Sequence, residues 1–212
     1  MPSTESILQL AAMIANDWTV LAIAWHVLLG TLLLALIVGW RPSNRVAGYL
    51  LVTPHLSVSA LAWESGNPFN GTVFVVLALA MIVLAGRLST RPVELSSPFL
   101  VAAGVLVTAF GWAYPHFLSA DRWTAYLYAS PFGLLPCPTL AGVTGVTLVL
   151  GLLGSKSWSL ALSAAGVTYG VMGVAALGVR LDYGLLAGAV VLGLGALARR
   201  RVSGLAAIAR HA

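Results

Sequence analysis

The one cysteine of the chain stands between two prolines, in the segment Pro136-Cys137-Pro138-Thr139. Proline is favourable in the first turn of a helix, where its missing N–H costs no hydrogen bond. Pro138 therefore predicts that a helix begins here, with Cys137 at or near its N-cap. Free N–H groups and the helix dipole favour an anion at such an end, which would make the thiol a better metal ligand or nucleophile. Alternatively, the prolines shape a loop and Cys137 is a small buried filler.

Two histidines, His26 and His55, interrupt the first two long apolar segments, and Pro54 precedes the second. Ionisable residues inside a bilayer are costly and are functional candidates by default. On adjacent antiparallel helices both would lie about eight residues, or roughly 12 Å, below the outer surface. The pair could ligate a metal ion or a haem, or relay protons. Alternatively, each neutral imidazole hydrogen-bonds a carbonyl or hydroxyl and joins helices.

Other polar residues cluster in the segments between later apolar runs, on the side predicted to face outward. No hydrolase, zinc-protease, nucleotide-loop or dinucleotide motif accompanies them, so enzymatic activity is not favoured. We expect these segments to form the rim of an outward-facing polar pocket. With Cys137, the candidate ligand-binding residues are Glu64, Asn67, His116, Asp121 and Asp182.

The composition identifies the elements that must position these residues. The chain of 212 residues is 59% hydrophobic and 8% charged, with a mean hydropathy of +0.95. A soluble domain needs more polar surface, so residues 1–212 are predicted to form a single polytopic transmembrane domain. The net charge of +5 does not indicate a nucleic-acid partner, because the basic residues lie in short loops and in the C-terminal segment, without interleaved aromatics.

Seven apolar runs are each close to the length of about 20 residues that a membrane-spanning helix requires. The predicted fold is all-α, with about seven transmembrane helices and a short amphipathic helix over 1–17 that lies at the membrane surface. The apolar side of that helix carries Ile7, Leu8, Leu10, Ala11 and Ile14. The predicted spans are about 19–40, 46–63, 70–86, 98–114, 138–154, 157–178 and 183–198.

The distribution of charge predicts the orientation. With seven spans, nine of the 11 Lys and Arg residues fall on one side, and every acidic residue except Glu94 falls on the other. The positive-inside rule then places the C-terminus in the cytoplasm and the N-terminus outside. The GxxxG patterns at 166–170 and 184–188 allow close helix approach, and we expect them to pack inside the protein rather than form a homodimer face.

Four stretches carry a family resemblance: WESGNPFNGTVFVV (63–76), YPHF (114–117), PFGLLPCPTLAGVTGVTLVLGLL (131–153) and GVRLDYGLLAGAVV (178–191). From about residue 60 onward the chain resembles an uncharacterised bacterial multi-pass membrane family with a Pro-Cys-Pro-Thr element. The resemblance implies a location in the bacterial inner (plasma) membrane. It implies no activity, so no catalytic residue is carried over.

The sequence thus predicts an integral, transporter-like membrane protein that binds or transports a small solute or a metal ion. One alternative is a haem-bearing or redox membrane component that uses His26 and His55. Another is a non-catalytic subunit of a membrane assembly, with a membrane-protein partner. In each case the lipid bilayer surrounds the protein.

Overall fold

The computed structural model describes residues 3–208, with side chains up to residue 198. Within this part the chain is helical, with nine α-helices, short 3-10 turns and one π-helical turn. The α-helices are α1 (Thr4–Asp17), α2 (Thr19–Ile37), α3 (Asn44–Glu64), α4 (Pro68–Gly86), α5 (Pro98–Trp112), α6 (Tyr126–Ala129), α7 (Pro136–Val149), α8 (Lys156–Val171) and α9 (Tyr183–Ile208).

Five of the helical segments are long and apolar enough to cross a membrane, which supports a multi-pass membrane protein. They are α2, α3, α4, α8 with its π-helical extension to Ala176, and Arg180–Ala198, which includes the start of α9. The predicted spans at 98–114 and 138–154 correspond to the shorter helices α5 and α7, of 15 and 14 residues. At 1.5 Å per residue these two are about 22 and 21 Å long.

The helix predicted over 138–154 starts and ends earlier than expected. Pro136 rather than Pro138 is its first residue, and the α-helix stops at Val149. Leu152 and Leu153 have φ values of 55° and 47° in the following 3-10 turn, Gly151–Gly154. Because left-handed backbone cannot continue a right-handed helix, the apolar run contains a break that its hydropathy does not reveal.

Helix α7 forms the centre of the molecule. Its residues 138–148 are all buried, and it packs against α5, α8, α9 and α3. Glycines let it approach α5 closely: a Cβ on Gly145 would lie 2.6 Å from the carbonyl oxygen of Gly104. Small residues at such crossings allow van der Waals contact between backbones, which drives helix association in membranes.

The two GxxxG patterns pack inside the protein, as expected. Gly166 and Gly170 of α8 face α9, where a Cβ on Gly166 would lie 2.7 Å from Cβ of Ala189. Gly184 and Gly188 of α9 face α5, against Phe110 and Val107. All four glycines therefore serve contacts between helices of one chain.

Candidate functional site

A cavity of about 420 Å³ lies beneath α1. Its walls come from α1, α3, the beginnings of α4 and α7, the end of α8 with the π-helical turn Met172–Ala176, and the segment before α9. Most of the lining is apolar. The five residues that the sequence places on the apolar side of α1 all line the cavity: Ile7, Leu8, Leu10, Ala11 and Ile14.

Side-chain hydrogen bonds fix α1 over the cavity. Ser3 caps the helix by accepting a hydrogen bond from the Ser6 backbone N–H at 3.2 Å. Near the other end, Nδ2 of Asn16 donates to the Phe117 carbonyl oxygen and Oδ1 of Asn16 accepts from the Ser119 N–H, both at 2.9 Å. The Asn16 side chain therefore links α1 to the loop after α5 and holds the C-terminal end of the helix, which covers the cavity.

Cys137 lies in the first turn of α7, as its second residue, and is half-buried in the cavity wall. The turn before α7 is shaped by Gly133, which has a φ of +77° and donates its N–H to Oγ1 of Thr139 at 2.9 Å. The prediction that the thiol stands at a helix start is thus close to the observed position. The Asp182 side chain is an ionisable neighbour of the thiol.

Asp182 supplies the carboxyl group of the cavity and is only 1% exposed. Its Oδ1 accepts a hydrogen bond of 2.7 Å from the hydroxyl of Tyr114. The Cys137 thiol lies beside the same carboxyl group, and His116 is a further neighbour of it. The carboxyl group thereby connects the end of α5, the start of α7 and the 3-10 turn Arg180–Asp182.

A second polar group lies in the cavity wall. The Tyr169 hydroxyl donates to Oδ1 of Asn70 at 3.0 Å. Asn67, which also lines the cavity, caps α4 by accepting from the Asn70 N–H at 3.1 Å. The ring of Tyr169 packs edge-on against Phe74, with centroids 5.3 Å apart. These polar groups are largely satisfied within the protein, so the cavity surface remains mainly apolar.

Three of the six predicted ligand-binding residues come together, because Asn67, Cys137 and Asp182 line one cavity. Glu64 ends α3 and is exposed, and Asp121 is exposed in the loop after α5. Neither lines the cavity. His116 is half-buried beside it, with its ring 4.2 Å from that of Phe117.

The two histidines, His26 and His55, contact different neighbours. His26 places Nδ1 at 2.8 Å from the Ala22 carbonyl oxygen and Nε2 at 2.9 Å from that of Trp112. A neutral imidazole can donate through only one of these nitrogens. His55 directs Nδ1 to the Leu51 carbonyl oxygen at 3.1 Å and stacks on Phe74.

Neither histidine lies in the cavity wall; the His26 contact with Trp112 joins α2 to α5, whereas the His55 contact with Leu51 stays within α3. The Nε2 atom of His55 is buried without a hydrogen-bond partner. Within residues 3–198, no group of three or more His, Cys, Asp and Glu side chains is arranged to hold a metal ion. The histidine pair therefore has no further protein ligand of these types to complete a metal site.

Sequence reasoning missed Tyr114 and Tyr169, the two phenols of the site. A tyrosine inside an apolar segment needs a partner for its hydroxyl when it is buried. Tyr114 begins the YPHF segment, and Tyr169 stands in the GVTYG pattern. Their hydroxyls were thus a usable signal, but the sequence does not show which acceptors they reach.

Comparison of the chain with protein-family models, with curated proteins and with solved structures finds no match. The likeness to a bacterial inner-membrane family therefore stays a prediction from the motifs quoted above. What the cavity can do follows from its own chemistry. Apolar walls that meet one buried carboxyl group suit a molecule with an apolar body and a single polar group.

Proposed function

We propose that this protein binds a small organic solute in the cavity beneath α1. It would act as a carrier of that solute, with the cavity at the outward-facing side of the membrane. The observation that carries the proposal is the cavity itself, about 420 Å³ of mostly apolar walls that end at Asp182. Concave, mainly apolar pockets with a few convergent polar groups are typical of small-molecule sites. The lining favours an organic solute over a metal ion, which prefers several oxygen, nitrogen or sulfur ligands.

We further propose seven membrane crossings, with α5 and α7 as the two short ones, in a bacterial inner membrane. The basic loops support this orientation. Nε of Arg45 donates to the Leu88 carbonyl oxygen at 3.3 Å, and Asn44 reaches Ser89 at 3.0 Å. The loops around residues 41–45 and 87–91 therefore share one end of the bundle, which the positive-inside rule assigns to the cytoplasm. The arginines of the C-terminal segment, at positions 199–201 and 210, lie outside the described side chains.

Helix α1 supports a carrier role because it is the removable wall of the cavity. Its long-range polar anchors are the two hydrogen bonds of Asn16 and a 3.5 Å contact between the Thr4 hydroxyl and the Ala176 carbonyl oxygen. The other walls come from α3, α4, α7 and α8, which pack within the bundle, and from the segments between helices. Displacement of α1 would open the cavity at the outward-facing end without unpacking α7.

The proposal is tested with the protein in lipid nanodiscs and tert-butylbenzene as a neutral apolar probe. Cys137 is the only cysteine, so the rate of its modification by methyl methanethiosulfonate reports occupancy of the cavity wall. We expect the probe to slow modification of the wild type. The Ala11→Trp variant, which fills the cavity from α1, should lose this response.

The matched control is Met13→Trp, because Met13 is 47% exposed and does not line the cavity. It should respond to the probe as the wild type does. Equilibrium dialysis of labelled tert-butylbenzene provides a second measurement that does not depend on thiol reactivity. Absence of both protection and saturable binding in the wild type would refute a small-molecule site beneath α1.

A further inference from the structure

We infer that the solute of this cavity is a small organic cation with an apolar body. This inference rests on the proposed function, because it names the class of molecule that the same cavity takes. It starts from Asp182, whose side chain is 1% exposed, lines the cavity and lies in a segment apolar enough to span a membrane.

The partners of the Asp182 carboxyl group are neutral hydrogen-bond donors. The Tyr114 hydroxyl donates to Oδ1, and the Cys137 thiol lies beside the group. Neither of these donors carries a positive charge. Two basic residues lie near it in sequence or space: Arg180 is exposed, and His116 is a half-buried neighbour whose ring packs on Phe117.

A buried carboxylate whose hydrogen-bond donors are neutral is costly, because hydrogen bonds from neutral donors replace only part of its lost hydration. A cationic group in the cavity would supply the missing opposite charge next to Asp182. The gain would be larger than at a water-exposed site, because the apolar walls exclude water. An anionic solute would meet repulsion at the same position.

The aromatic part of the wall suits the same class of solute. Phe69, Phe117 and Tyr169 are among the lining residues, and the faces of aromatic rings attract cations. Most of the remaining wall is aliphatic, from α1, α3 and the segment that leads into α7, and matches an alkyl or aryl body. A quaternary ammonium or a protonated amine with such a body fits both parts of the cavity.

The test uses three molecules of similar shape and different charge: phenyltrimethylammonium, its neutral isostere tert-butylbenzene, and the anion 4-tert-butylbenzoate. Binding is measured by equilibrium dialysis to the wild type in nanodiscs of zwitterionic phosphatidylcholine, which does not concentrate ions by itself. We expect the cation to bind about tenfold or more tightly than the neutral isostere, and the anion to bind more weakly than either.

Asp182→Asn tests the assignment to the carboxyl group, because its amide oxygen can still accept from Tyr114. We expect cation affinity to fall about tenfold while the affinity for tert-butylbenzene is unchanged. The matched control is Asp17→Asn, which makes the same change in net charge at the exposed last residue of α1. It should keep the preference for the cation.

The outcomes separate the two proposals. Equal affinity for cation and neutral isostere in the wild type overturns the cation class and leaves a small-molecule cavity. Binding of none of the three overturns both. A cation preference that survives in Asp182→Asn overturns the role of Asp182. Should that variant fail to fold, the three-molecule comparison on the wild type still decides the solute class.

Discussion

The Asp182 carboxyl group occupies the space left by the missing side chain of Gly173. A Cβ on Gly173 would lie 2.7 Å from Cγ of Asp182, and the Gly173 carbonyl oxygen accepts from the Val179 N–H at 2.8 Å. The π-helical turn that contains Gly173 therefore provides the space that the carboxyl group occupies. π-Helical turns are unusual and are often found at functional sites. The turn at Gly173 therefore supports the Asp182 carboxyl group as the polar end of the cavity.

Gly173→Ala should displace the Asp182 carboxyl group from this position. The new methyl group overlaps Asp182, so we expect the Tyr114–Asp182 hydrogen bond to weaken and the protein to lose about 1–3 kcal/mol of stability. Thermal unfolding in detergent measures the loss. Gly195→Ala is the matched control, because a Cβ there meets its nearest neighbour at 3.5 Å, an ordinary contact. Equal melting temperatures for the two variants would show that Gly173 is not a packing requirement.

Gly145→Ala should be strongly destabilising, because the new Cβ would meet backbone atoms that cannot move aside. It would lie 2.6 Å from the Gly104 carbonyl oxygen and would overlap the backbone N of Thr108. Separation of α5 from α7 loosens the central helix on which the cavity depends. We expect a loss of about 3 kcal/mol or more, measured by unfolding in increasing denaturing detergent. A variant as stable as wild type would contradict the close crossing of α5 and α7.

Asn16→Ala should loosen α1 without unfolding the bundle. The substitution removes the two hydrogen bonds to the 117–119 segment, each worth about 1 kcal/mol. We expect methyl methanethiosulfonate to modify Cys137 severalfold faster, because the cover opens more often. Gln9→Ala is the control, since the Gln9 side chain bonds only to the exposed Glu5 of the same helix. Unchanged labelling of Cys137 in Asn16→Ala would argue against α1 as the moving wall.

The proposed orientation can be tested with single cysteines in a Cys137→Ser background. Asp121→Cys lies in the exposed loop after α5, and Thr90→Cys in the exposed loop after α4. We expect a membrane-impermeant maleimide to label position 121 in intact cells and position 90 only after permeabilisation. The reverse pattern would invert the orientation, and labelling of both positions in intact cells would refute an odd number of crossings between them.

His26→Leu tests whether this histidine joins helices. Only 22% of the membrane-spanning window of α2 is buried, so the contact between Nε2 and the Trp112 carbonyl oxygen is a main link to α5. We expect a loss of about 1–3 kcal/mol of stability. The wild-type visible spectrum should show no Soret band. A Soret band lost in His26→Leu would instead support the haem-bearing alternative. Val27→Leu, at a neighbouring residue that is 62% exposed, is the control.

Local sequence signals predicted the helical elements well where their causes are local. The apolar runs predicted over 70–86 and 98–114 correspond to α4 and α5, which begin at Pro68 and Pro98, and both runs are apolar enough to be recognised by hydropathy. The prediction was less accurate at the end of α7. The left-handed residues Leu152 and Leu153 are leucines in an apolar run, and their backbone conformation depends on packing with α3, α8 and α9.

By itself, the sequence determined that the described part of the chain is helical, that several helices suit a bilayer, and that Cys137 stands at a helix start, since these properties depend on neighbouring residues. Only the tertiary structure decided which polar residues share a site. Tyr114 and Asp182 are 68 residues apart and form one hydrogen bond, whereas Glu64 and Asp121 remain exposed. The close approach of α5 and α9 at Gly184 and Gly188, and the space beside Gly173, bring the first pair together, and such contacts between distant segments leave no periodic pattern in the sequence.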